Sequence, residues 1–242
     1  MIFFFKKSKI VVDAFTLNDV ILNHYPIAPA IKNVPEWWKA VPAELPRDPM
    51  WPLVGKNSMK KCVGFVEEYK RSYILPLWTD VTVEMQRSQR GLESRYMCAD
   101  GLSTMETHDN SQFRGYVNPD LYQHYKLRVP WIIYSKSDIF WNYNQASWHH
   151  GDWLGTLNIL PGQIDFKYNH IAHINMLLKI SDTGRTSMML PAGLPMVMLS
   201  PRTEKEVDMR LHSVTMQEFN RMLYMPKFTG LYKENKSRCP FH

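Results

Sequence analysis

Short extended runs of hydrophobic positions, separated by turn-forming breakers, dominate the reading of this chain. Val81, Val83 and Met85 interleave with Asp80, Thr82 and Glu84, which predicts a strand with one buried and one wet face. Ile10–Phe15 predicts an earlier strand. From residue 121 to 213, extended runs predict strands over 122–129, 139–143, 154–160, 164–168, 171–180, 196–199 and 207–214. Breakers separate them: Pro130, Pro161-Gly162, Asp182-Thr183-Gly184, Pro191-Ala192-Gly193 and Pro201. Short strands without intervening helices predict a mainly β fold, an antiparallel β-sandwich or jelly-roll-like single domain. Ala99-Asp100-Gly101 predicts a hairpin, and the pairs Met188-Met189 and Met196/Met198 are expected on one strand pair.

Two peripheral helices complete this reading. Cys62, Phe65, Val66, Tyr69 and Tyr73 recur at helical spacing behind a capping Asn57 or Ser58. Thr215-Met216-Gln217-Glu218 is a capping box leading into the apolar stripe Met216, Phe219, Met222 and Leu223, which predicts a helix packed on the sheet. Between the first strand and the first helix, residues 26–52 are rich in proline and carry Trp37, Trp38 and Trp51. Proline fixes φ and donates no hydrogen bond, so this segment is read as an extended arm, with the three tryptophans as structural anchors. Residues 1–226 form one domain in this reading, and 227–242 a basic tail.

Charge changes the picture only at the ends. The chain carries 29 basic and 23 acidic residues. Lys6, Lys7, Lys9, Lys227, Lys233, Lys236 and Arg238, offset by Glu234, hold the whole excess, leaving 22 of each sign between residues 11 and 226. A neutral body argues against a nucleic-acid reader and leaves weak tail contacts at most. Cys62, Cys98 and Cys239 include no C-x-x-C pair, which argues against a disulfide framework and predicts a reducing cytoplasm. The apolar run Met1–Phe5 is too short for a span and precedes its lysines, the reverse of a secretion signal, so no membrane partner is expected.

Several local signatures run along the chain: Pro35-Glu36-Trp37-Trp38-Lys39, Met59-Lys60-Lys61-Cys62, Pro76-Leu77-Trp78-Thr79-Asp80, Pro130-Trp131, Leu160-Pro161-Gly162 and Pro191-Ala192-Gly193-Leu194-Pro195. Through them the chain resembles an uncharacterised protein family of marine T4-like bacteriophages (cyanophage and pelagiphage type) with distant bacterial relatives. The resemblance transfers no activity and no functional residue. It implies a phage genome, expression in the host cytoplasm, and either a virion component or an infection accessory.

No phosphate-binding glycine loop and no nucleophile elbow occurs. Among nine histidines, His150-Gly151-Asp152 has the H-x-D spacing of a facial triad for non-haem iron, since residues two apart in a strand or tight turn are expected to share a side. His212 is available as the distal ligand, and Arg221 as an anchor for 2-oxoglutarate. Trp148 and Trp153 bracket the tripeptide, which equally suits a polar loop between aromatic strands. His170 and His173, and the carboxylates Asp80 and Glu84, are weaker constellations. The favoured expectation is a phage-encoded, non-catalytic binding or assembly protein without cofactor, partnered by itself, a virion protein or a host protein. An Fe(II)/2-oxoglutarate oxygenase and a carbohydrate-binding sandwich stand as alternatives.

Overall fold

The computed structural model describes residues 9–46, 50, 57–89, 91–100, 105–168 and 171–228. Its first strand, β1 (Ile10–Thr16), alternates strictly, with Ile10, Val12, Ala14 and Thr16 buried. Asn18 then caps α1 (Asp19–His24), its Oδ1 accepting from the backbone N–H of Val20 at 2.8 Å. The proline-rich segment is more folded than expected. β2 (Ala28–Pro29) pairs with a later strand, Ala30–Asn33 makes a 3₁₀ turn, and Pro35 precedes α2 (Glu36–Ala40). Proline suits the entry of a helix, where its missing N–H is no loss, so a Pro-rich chain can wrap as a series of short helical turns. Trp51 lies outside the described residues.

α3 (Val63–Arg71) begins later than the sequence suggests, because Ser58 caps the separate turn Met59–Lys61. It also ends earlier. Tyr73 opens β3 (Tyr73–Pro76), whose next three residues are all buried, so core packing overrides the helical period there. β4 (Val81–Ser88) and β5 (Gly91–Cys98) form a hairpin in which Ser88 opposes Gly91. Gly91 sits at φ +112°, a conformation that L side chains rarely adopt. This displaces the hairpin expected at Ala99-Asp100: β6 (Met105–His108) pairs instead with β7 (Tyr122–Leu127), in another sheet. Gly101 is outside the described residues.

The second half supplies β8 (Ile132–Ser135), β9 (Phe140–Gln145), β10 (Leu157–Ile159), β11 (Gly162–Asp165), β12 (Ile174–Lys179), β13 (Arg185–Leu190), β14 (Pro195–Pro201), β15 (Val207–Ser213) and α4 (Met216–Phe228). Four sheets result, in the orders β15-β1-β8, β10-β12-β7-β6, β11-β9-β14-β3-β2 and β13-β4-β5. All pairings are antiparallel except β1 with β15. The fold is mainly β and sandwich-like, with four α-helices among the described residues.

The two methionine groups do not share a strand pair. Gly193, at φ +84°, turns the chain from β13 into a different sheet, and Leu77 clamps that turn by accepting from Gly193 N–H and donating to the Leu194 carbonyl. One core runs from Ile10 to Leu199 around Trp131, Trp141, Tyr125 and Phe166. A smaller cluster of Phe65, Tyr69, Ile74, Ala146 and Met198 lies under α3. The capping box of α4 forms as expected: Thr215 Oγ1 accepts from Glu218 N–H, and Glu218 Oε2 accepts from Thr215 N–H at 2.9 Å. α4 lies against β8, although Met216 at its start is exposed.

Candidate aromatic face and its histidine latch

The segment between β9 and β10 folds as two successive 3₁₀ turns, Ser147–His149 and Gly151–Trp153, with His150 at the junction. His150 is 1 % exposed, and both of its ring nitrogens are engaged. A carbonyl only accepts, so Nε2 carries the proton and donates to the Pro195 oxygen at 2.7 Å. Gln145 fixes the other side. Its Oε1 accepts from Ile159 N–H at 2.8 Å, and its Nε2 donates to Leu157 O at 3.1 Å and to His150 Nδ1 at 2.9 Å. The imidazole is therefore neutral, in one tautomer, and latches the loop to β9, β10 and β14. Burial holds its pKa below the ordinary histidine value.

With His150 turned inward, its neighbours face a cluster of rings. His149 Nε2 lies 3.0 Å from the Tyr69 hydroxyl, and burial with the adjacent His150 lowers the His149 pKa to about 4. Burial pushes the Tyr69 hydroxyl up. Phe65 stacks on Tyr69 at 4.5 Å and meets Trp148 edge-on at 5.4 Å. Trp38 stacks on Phe65 at 5.2 Å, donates from Nε1 to Met59 O at 3.2 Å, and lies beneath the Lys60 ammonium. Trp37 donates from Nε1 to Trp148 O at 2.8 Å, with its ring 5.9 Å from that of Trp148. These two outer rings remain 39 % and 40 % exposed. The face thus carries two tryptophans in water whose orientations are fixed from below.

The residues proposed for iron are not brought together. In a 3₁₀ turn, residues two apart point roughly 240° apart around the axis, so His150 enters the core while Asp152 is exposed. The shared side expected for H-x-D in a strand or tight turn is lost in this 3₁₀ geometry. His212 lies on β15, where Nε2 meets Asp13 Oδ1 at 2.8 Å and the ring stacks on Phe15. Arg221 is on α4 and exposed. Among the described residues, no group of three or more His, Cys, Asp or Glu could hold a metal ion.

The other constellations also resolve into structural roles. Asp80 accepts from Ala192 N–H at 2.7 Å and fastens the turn before β14, while Glu84 stays exposed on β4. His170 lies outside the described residues. His173 is lowered to about 4 by burial and by the nearby Lys126 and Arg128 cations. A grouping not anticipated from the sequence joins His108 and His124, 4.8 Å apart and opposite each other on β6 and β7, with Phe113 set edge-on to His124. The sequence offered no signal for it beyond period two, because the two histidines are sixteen residues apart. No protein-family model matches the chain, and no curated protein matches it.

Proposed function

We propose that this chain is a non-catalytic binding protein that holds a protein partner on the aromatic face of Trp37 and Trp148. The observation that carries this reading is the fixed exposure of the two rings. Each keeps a large apolar area in water, yet neither is free to move, since Trp37 is tethered to the Trp148 carbonyl and both rings contact Phe65. Rigid, half-exposed tryptophans are the side chains that dominate protein interfaces, because docking onto them costs little ordering entropy. The occupied nitrogens of His150 and the pairing of His212 with Asp13 favour this reading over an oxygenase. The resemblance to phage proteins makes a virion or host protein the partner in this proposal.

A photo-crosslinking amino acid placed at exposed Glu36, beside Trp37, tests it in lysate of a phage-infected bacterium. The expected result is one dominant protein adduct that disappears when Trp37→Ala and Trp148→Ala are added. An adduct of unchanged yield in that double variant would overturn the proposal.

A further inference from the structure

Strand β5 ends its sheet: β4 lies on one side, and no strand lies on the other among the described residues. Ala99 N–H donates to Asp80 O at 2.9 Å, in register with the β4–β5 ladder. Odd-numbered β5 residues therefore direct their backbone groups at β4, and Leu92, Ser94 and Tyr96 direct theirs outward. No described residue bonds those outward groups. An edge of this kind is a template for another strand. Its side chains keep capacity for a partner: Tyr96 meets Tyr125 edge-on at 6.4 Å but stays 42 % exposed, Met97 is 65 % exposed, and Glu93 and Arg95, the latter opposite Glu84 on β4, form no ion pair among the described residues.

The occupant follows from the order of residues. Rotating a second copy about a two-fold axis through Ser94 sets Glu93 opposite Arg95, Leu92 opposite Tyr96, and Met97 opposite Gly91, which has no side chain to obstruct it. Outward N–H groups meet outward carbonyls only when the axis passes through a residue rather than between two, and an axis at Glu93 or Arg95 would set like charges opposite each other. Of those registers, the one at Ser94 matches acid with base. A cleft of about 450 Å³ bounded by Arg87, Ser88, Leu92, Asn118, Asp120 and Leu121 opens beside Leu92, where Tyr96 of the second copy would arrive.

Strand β15, the edge next to β1, lacks this availability. The charges on and beside it are already matched by Lys9–Glu206 and Asp208–Arg210, His212 meets Asp13, and the Tyr73 hydroxyl occupies the outward Val207 carbonyl.

We propose that two copies of this chain pair through β5, antiparallel about Ser94, to form one continuous six-stranded sheet. The interface is isologous, so each Glu93–Arg95 contact occurs twice. It is separate from the aromatic face and does not depend on the function proposed for that face.

Sedimentation equilibrium of the full chain, from about 1 µM to 1 mM, tests it. The expected result is a reversible monomer–dimer equilibrium. Arg95→Glu sets like charges opposite each other twice and should weaken association about thirty-fold. The charge swap Glu93→Arg with Arg95→Glu should restore it. Ser94→Pro removes the central outward N–H at an edge position that tolerates proline, and should give monomer with an unchanged circular dichroism spectrum. A monomer throughout the range, a dimer indifferent to Arg95→Glu and Ser94→Pro, or a charge swap that fails to rescue would overturn the proposal.

Discussion

Lowering the pH from 7.5 to 5 should remove about 2–4 kcal/mol of stability through His149 and His173 alone, the upper figure being the unscreened limit. Both rings are held neutral, His149 by burial against Tyr69 and beside His150, His173 by burial and by Lys126 and Arg128. Each has a folded-state pKa of about 4, against about 6.5 for an unfolded chain. Between these values the unfolded state binds more protons than the folded state, so stability falls as pH falls through 6.5 and levels off below 4. A full pH unit in this window costs about 1.4 kcal/mol per histidine, hence about 2 kcal/mol for each at pH 5 before solvent screening of these half-buried rings, and about 1–2 kcal/mol after it. His150 and His124, both shifted in the same direction by burial, add to the slope. A total of this size is a large share of the 5–15 kcal/mol typical of a folded domain. Urea unfolding followed by tryptophan fluorescence at pH 7.5, 6 and 5 measures it. His149→Gln, which keeps a hydrogen-bonding group near Tyr69, should flatten the profile by about 1–2 kcal/mol. Stability that is level or rising from pH 7.5 to 5 would refute the placement of these rings.

Three further expectations use the same unfolding assay. Trp38→Ala should cost about 2–4 kcal/mol, less than for a fully buried tryptophan because its ring is half-exposed; a loss under about 1 kcal/mol would mean that it does not anchor the 26–52 segment. His150→Phe should cost about 3 kcal/mol, since it leaves the Pro195 carbonyl and the Gln145 amide without their partner, and the exposed Asp152→Ala next to it should cost almost nothing. Equal effects at the two positions would contradict the latch. Thr215→Ala should cost about 1 kcal/mol by undoing the capping box of α4, and no change would show that α4 is held by its contact with β8 alone.

Period-two alternation marks β4, whose one wet face records the pleat in the sequence, and extended runs between breakers mark β1, β7, β9, β12, β14 and β15. β3 and β8 left no such record. They are buried on both sides, as Ile74-Leu75-Pro76 and Ile132-Ile133 show, and an apolar run that short reads equally as helix or strand. Tyr73 continues the helical spacing of Phe65 and Tyr69, and only the packing of the residues after it places it in β3. Strand pairing was hidden as well. The turn at Ala99-Asp100 is a real break, but whether it joins partners depends on which sheet receives β6, a non-local matter.

Of the site, the aromatic residues were legible and their arrangement was not. Trp37, Trp38 and Trp148 stand out by type, and Trp38 packs against the smaller core cluster. Nothing in the sequence shows that Phe65, four positions before Tyr69 on α3, would carry all three. The H-x-D spacing misled because two residues apart has a directional meaning only once the backbone is known, and here it is 3₁₀ rather than strand.

Isothermal titration of the crosslinked partner, once purified, into the wild-type chain and into the Trp37→Ala/Trp148→Ala variant tests the central claim most directly. The aromatic-face account predicts saturable binding to the wild type with no chemical turnover of the partner. It also predicts affinity weakened at least about thirty-fold in the variant, as for the loss of interface hot spots, while the fold is retained. Equal affinity for both chains would contradict it.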